Sequence, residues 1–317
     1  FGESAILRFP RTTKIGAAVS YQFRRNEAVA QGLQRMAAEQ VRQAHKELSS
    51  LRPTPEEAVH EARKRFKKVR ALLRLARPSL GDTFTQENVH FRDMGRALSL
   101  QRDVEALGET FAALSTRFES RFSSALLSDI DRALTTWKLK VEETAPLETQ
   151  LREVLPALEA ARVRIPDWNL HGDGFDLLED GLERILTQGR RAMKRARKQG
   201  ATEAFHEWRK RVKDHWYHVT LLQRVWPAPM RGYARALKSL SDHLGDHHNL
   251  AVLREHLEMG EFLSAEGRDA LLPLVEEELK RHAAAAFPLG AHVHAESAKA
   301  FTSRIRRYWE IWRVTAS

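Results

Sequence analysis

The sequence predicts an all-α protein made of two four-helix bundles, and three observations carry that reading. Apolar residues recur at helical spacing almost everywhere after Asn26, and no alternating run of β-branched residues suggests a strand. Residues of the first half also return in the second at a fixed offset of 146 positions. The offset takes His60 to His206, Arg63 to Arg209, Lys64 to Lys210, Lys67 to Lys213, Arg92 to Lys238, Leu98 to Leu244, Asp103 to Asn249 and Leu107 to Leu253.

Breakers divide the chain in order. They fall at Arg52-Pro53-Thr54-Pro55, at 78–82, Pro146, 165–174, Gly200, 226–229, Gly260, Gly267 and Phe287-Pro288, which leaves about eight helices. Residues 1–26 form an irregular segment that reads in part as a cloning remnant, because the chain opens on Phe1 and not Met. Residues 27–165 make the first bundle and 166–317 the second, with IPDWNLHGDG at 165–174 as the joint. Neighbouring domains are expected to be missing.

Composition narrows the function. The chain has 317 residues, 42% of them hydrophobic, enough to bury a core. A net charge of +10 points to a polyanionic partner: nucleic acid, a membrane surface or a phosphate polymer. No cysteine is present, so disulfides, thiolate metal sites and a Cys nucleophile are excluded, in keeping with an expected cytoplasmic location. No run approaches the roughly 18 apolar residues of a membrane span, so no membrane insertion is expected.

The charge is concentrated. AVHEARKRFKKVRALLRLA (58–76) crowds Lys and Arg around one His, and AFHEWRKRVKDHWYHVTLL (204–222) repeats the pattern. On a helix of 3.6 residues per turn, Arg63, Lys64, Lys67, Arg70 and Arg74 share the side of His60, while Val59, Ala62, Phe66, Val69 and Leu73 make the opposite apolar stripe. In the second copy His206, Arg209, Lys210 and Lys213 share one face. Like charges three or four residues apart repel by a few tenths of a kcal/mol per pair, so solvated faces normally interleave signs. Here carboxylates are nearly absent from the face, and the repulsion is left for a ligand to relieve. The second copy is less basic, since Trp216 replaces Arg70, Thr220 replaces Arg74 and Asp214 replaces Lys68.

Two further elements accompany the repeat. GRRAMKRARKQG (189–200) adds Arg191, Lys194 and Arg195, either to the same surface or as a solvated helix end. Asp103 and Asn249 each follow the motif His by 43 residues and could hold a cation in orientation from the neighbouring helix.

These residues, VHEARKRFKKVR with LSLQRDV and FHEWRKRVK with LGDHHNLAVL, resemble the CHAD domain family, the conserved histidine α-helical domains. The resemblance runs over residues 26–317 and implies two four-helix bundles related by a pseudo-twofold. Basic side chains would line a groove or pore that binds inorganic polyphosphate, with recruitment to polyphosphate granules. It implies phosphate contacts from His60, Arg63, Lys64, Lys67, Lys68, Arg70 and Arg74 in the first copy. His206, Arg209, Lys210 and Lys213 follow in the second, together with Arg92 and Lys238, and Asp103 and Asn249 orient the cations. Arg191, Lys194 and Arg195 are added to that surface, and other phosphate polyanions are admitted. No cofactor, metal or catalytic residue is implied, and the oligomeric state is left open. A bound polyanion would favour protonated His60 and His206, so affinity is expected to rise modestly as pH falls.

Rival readings are weaker. Nucleic-acid backbone binding would use the same cations, yet only Trp216 and Tyr217 lie near them as aromatic platforms. Glu57 with His60 and Glu203 with His206 repeat the Glu-x-x-His spacing of di-iron bundles, but the flanking cations would repel a metal. His243, His247 and His248 could share a metal, although the first half shows Ala97 and Gln101 at the first two of these positions. The Glu276-x-Glu278-x-Lys280 pattern of triphosphate tunnel enzymes needs a strand, and its surroundings read as helix.

Overall fold

The computed structural model describes residues 21–172, 174–260 and 263–315. The irregular segment predicted for 1–26 therefore lies mostly outside the described residues. Among those described the protein is all-α, without strands, and its twelve α-helices are α1 (Val29–Ser50), α2 (Pro55–Leu75), α3 (Arg77–Leu80), α4 (Asp82–Ala97), α5 (Ser99–Arg117), α6 (Ser124–Thr144), α7 (Leu147–Arg164), α8 (Asp176–Gln199), α9 (Thr202–Leu221), α10 (Pro227–Met259), α11 (Ala265–Val293) and α12 (Ala298–Val314).

Local chemistry explains the boundaries that matter. Thr54 caps α2 by accepting the Glu57 amide at 3.2 Å, with Pro55 in the first turn and Glu56 and Glu57 against the positive end of the helix. Gly200 ends α8 and Gly260 ends α10 in left-handed conformations that suit a residue without Cβ. The predicted joint at 165–174 is a short 3-10 turn followed by irregular chain.

The 146-residue offset reaches whole helices. It pairs α1 with α8, α2 with α9, α4 plus α5 with α10, α6 with α11, and α7 with α12. Helices outnumber the expected eight partly because the stretch that is one 33-residue helix in α10 is broken at Leu98 in the first half, between α4 and α5. Another extra piece is the single turn α3. Conversely, the expected break at Phe287-Pro288 does not occur: Pro288 lies inside α11. A proline removes one backbone donor, yet the helix continues, with the neighbouring Phe287 ring packed against Trp208 and Phe205 at 5.4 and 5.7 Å.

Two apolar cores form, and each draws on both halves. The larger joins α1, α2, α4 and α7 to α8, α9, α12, the first part of α10 and the end of α11; the smaller joins α5 and α6 to the later part of α10 and the first part of α11. Helices α2, α5, α10 and α9 consequently meet in a closed cycle, each packing against the next.

The α2–α9 side of that cycle is a tight seam. Beside it α8 packs on α2: a Cβ on Gly181 of α8 would strike the Leu75 carbonyl oxygen at the end of α2, so only glycine allows these two backbones this close. Arg74 donates to Asp214 at 2.9 Å, and the buried His218 ring donates from Nε2 to the Ala71 carbonyl oxygen at 2.9 Å. Asp214 reads in the sequence as a negative charge intruding on the basic face, but it is the carboxylate that ties α9 to α2.

Gly181→Ala should lower unfolding stability by about 3 kcal/mol in urea titration, because the obstructing atoms are backbone and cannot swing aside. Gly108→Ala, in α5 with nothing within 4 Å of the added methyl, should instead be neutral or stabilising by up to about 1 kcal/mol.

Candidate functional site

The apolar stripes of α2 and α9 are buried as the sequence predicts, with Val59, Ala62, Phe66 and Val69 on one and Phe205, Trp208 and Val212 on the other. Burying these stripes leaves the basic faces to meet across the helix cycle. Lys67 bears the repulsion of Arg63 from its own helix, of Arg209 and Lys213 on α9 and of Arg102 on α5. Lys213 in turn feels Arg209, Lys238 and Lys64. Cations from both halves therefore act on one another.

The consequence is a set of lysines that hold their protons weakly. Desolvation, then the four surrounding cations, pulls Lys67 from the usual lysine range to about 7. Its side chain is nonetheless exposed to solvent. Lys68 falls to about 8 through desolvation, then Arg65 and Lys64, and its ammonium lies 5.4 Å over the Tyr21 ring. Lys213 falls to about 8 with its ammonium 4.3 Å over Trp216 and 5.5 Å over Tyr217. Arg70 is lowered to about 10, first by desolvation and then by Arg74, while donating to Asn88 at 3.1 Å.

The remaining predicted residues are placed as follows. Arg63 donates to the Gly95 carbonyl, and Asp103 on α5 acts on it as the nearest negative charge. Lys64 pairs with Glu61 at 2.6 Å, and Lys210 pairs with Glu207 one turn back, so the repeat includes a carboxylate for each of these lysines. Among the described residues Arg209 makes no ion pair; it is desolvated, with Asp246 as a carboxylate neighbour. Arg92 is bound to Asp93 at 2.8 Å and Lys238 to Asp242 at 2.6 Å, while Arg92 still bears on Arg70 and Lys238 on Lys213. Asn249 is half-buried on α10. Arg74 is held in the seam by Asp214. Arg191 and Lys194 face the connection between α11 and α12 together with His294, among different neighbours, and Arg195 is exposed on α8.

The motif histidines have partners that the sequence reading missed. Arg102, held by Glu105 at 3.0 Å and Glu109 at 2.8 Å, presses on His60; the residue 146 positions later, His248, lies beside His206 with the two Nδ1 atoms 3.3 Å apart. The signal was present in QRD and HHN, one residue before the Asp103 and Asn249 that drew the attention. Burial, then Arg102 and Lys64, lowers His60; burial, then Lys210 and Arg209, lowers His206; and burial with Arg209 drives His248 to about 3. All three rings are neutral at pH 7. In the free protein the groups poised to change protonation near pH 7 to 8 are thus Lys67, Lys68 and Lys213, while burial, with the cations around them, keeps the rings neutral.

The rival motifs resolve locally. Glu57 is exposed at the start of α2. His247 is buried and stacked on Phe205 with centroids 4.0 Å apart, whereas His243 faces His282, and no group of three His, Cys, Asp or Glu among the described residues could hold a metal. Glu276 and Glu278 lie on helix α11, paired with Arg254 and Arg281. No helix of the described residues is long and apolar enough to cross a membrane.

The chain is all-α, and the cations of its two motif helices act on one another. The CHAD domain family model matches residues 35–258, from within α1 to the end of α10, and the chain belongs to that family. CHAD domains are associated in general terms with polyphosphate binding. No curated protein matches the chain.

For Lys67, Lys68 and Lys213 the unfolded chain binds more protons than the folded one between about pH 7 and the ordinary lysine value near 10.4, so the free protein gains stability as pH rises through that window. Melting temperature should therefore climb from pH 7 to 9, and the climb should be shallower in Lys67→Met.

Proposed function

We propose that the protein binds inorganic polyphosphate without chemically altering it, along a groove or pore lined by cations of both repeats, and that this binding brings it to polyphosphate granules. The observation that carries the reading is the mutual repulsion of Lys67, Arg63, Arg209, Lys213 and Arg102 across α2, α9 and α5. Such a cluster costs folding energy at neutral pH, and a chain carrying about one negative charge per phosphate relieves the repulsion along its whole length. Arg63 and Arg209 can grip two phosphate oxygens each, whereas the lysines act as point charges. Release of condensed counterions adds a term that weakens with salt, as on nucleic acids.

The cyclic packing of α2, α5, α10 and α9 suits a narrow flexible chain better than a duplex. Single-stranded nucleic acid is disfavoured by the aromatics: Tyr217 is buried, and Trp216 is already covered by Lys213. Arg74 and Asp214 serve the seam in this reading, and the site centres on Arg63, Lys67, Arg102, Arg209 and Lys213. His60 and His206 act as neutral donors.

Calorimetric titration with long-chain polyphosphate at two salt concentrations tests the proposal. The parent should bind tightly and salt-sensitively, while Lys67→Ala combined with Arg209→Ala, checked for retained helicity, should lose about 100-fold in affinity and show a shallower salt dependence. Absence of binding by the parent, or displacement of polyphosphate by single-stranded DNA at matched phosphate, would overturn it.

A further inference from the structure

A second cluster of cations lies away from the central one. On α8, Thr187, Arg191 and Lys194 are spaced to share one face, and they line a cavity of about 210 Å³ against the link between α11 and α12. Arg190, beside them, donates to the carbonyl oxygens of Ala295 and Glu296 at 3.3 and 3.2 Å and to that of His294, so it braces the link. The carboxylate of Glu296 is paired with Arg304 at 2.6 Å.

Three features make this a site and not a solvated helix end. First, Arg191 and Lys194 are exposed and have neither an ion pair nor a hydrogen bond among the described residues, so their charge is free for a ligand. Second, the His294 ring that lines the cavity is 6% exposed, and its Nε2 is sealed without a hydrogen-bond partner. A Cβ on Gly189 would come within 2.8 Å of that ring, so the glycine is what lets the imidazole lie against α8 and form the cavity wall. Burial, then Arg190, holds His294 at about 4, so near neutrality the ring adds no charge and can donate only one hydrogen bond. Third, the only carboxylate of the lining is already neutralised by Arg304.

We propose that this cavity is a separate binding site for a short condensed phosphate, of the pyrophosphate or tripolyphosphate class, held by Arg191 and Lys194 with the Thr187 hydroxyl. The size argues for this class, since about 210 Å³ is room for roughly seven waters, below the usual span of drug-sized pockets and too small for a whole nucleotide bound in depth. Charge argues the same way: one carboxylate would be satisfied by one arginine, whereas two free cations a turn apart match an anion with charges on successive phosphorus centres. The phosphate could come as a free short chain or as the end of a long chain held elsewhere. The site does not depend on the central cluster, because its cations bear on none of the central residues.

Tripolyphosphate and pyrophosphate titrations followed by calorimetry test the proposal on the whole chain. The parent should bind tripolyphosphate in two classes of site. Arg191→Ala with Lys194→Ala should remove one class, lowering its affinity at least tenfold, and leave the long-chain affinity within about twofold if free short chains are the ligand. A matching loss for long chains would identify the chain end instead. Lys67→Ala with Arg209→Ala should keep the peripheral class even if central binding vanishes. Gly189→Val, which obstructs the His294 ring, should weaken the same class with Arg191 and Lys194 intact. An unchanged tripolyphosphate titration in the Arg191 and Lys194 variant, or loss of both classes in the Lys67 and Arg209 variant, would overturn it.

Discussion

The structure depends on how closely α2 and α9 are pulled together while their basic faces repel. The seam supplies the pull: Asp214 holds Arg74 and His218 holds the Ala71 carbonyl, while α8, packed on both helices, meets the Leu75 backbone of α2 through a glycine at 181. These contacts and the apolar stripes behind them, Phe66 and Val69 on one side and Trp208 and Val212 on the other, outweigh a cluster of cations that by itself would drive the halves apart. Repulsion of this kind is not an accident of a surface, because it is set across two helices by buried packing.

The two repeats solve the same problem with different chemistry. Beside the motif histidine the first places Arg102, a permanent cation braced by Glu105 and Glu109, and the second places His248, a neutral ring. Beyond it, the first continues with Arg70, and the second with Trp216, over which Lys213 lies. The first copy therefore supplies more fixed charge. The second holds its charge against aromatic faces, where a desolvated ammonium has a lowered pKa and a defined position.

Much of this was legible in the residues. Helical periodicity gave the class, the 146-residue offset paired the helices, and the phase of His60 with Arg63, Lys64 and Lys67 gave the face. What escaped has physical causes. The break at Leu98 carries neither Pro nor Gly, and Pro288 sits inside a helix, so local punctuation misled in both directions. Residue type alone could not tell which cations would be spent on the fold: Arg74 is basic and on the right arc, but Asp214, 140 residues away, claims it. Nor could it show that burial, with the surrounding cations, would leave the histidines neutral and loosen the protons of the lysines.

The central claim is that cations of both halves converge on Lys67 and await a polyanion. Its most direct test is the titration of the Lys67 side-chain carbon resonance by NMR, assigned with Lys67→Arg, in the free protein and with long-chain polyphosphate. The account predicts a free value near 7 that moves upward toward the ordinary lysine range when polyphosphate binds, because the ligand replaces repulsion by Arg63, Arg102, Arg209 and Lys213 with attraction. A free Lys67 that already titrates as an ordinary lysine, or a lowered value that polyphosphate leaves unchanged, would contradict it.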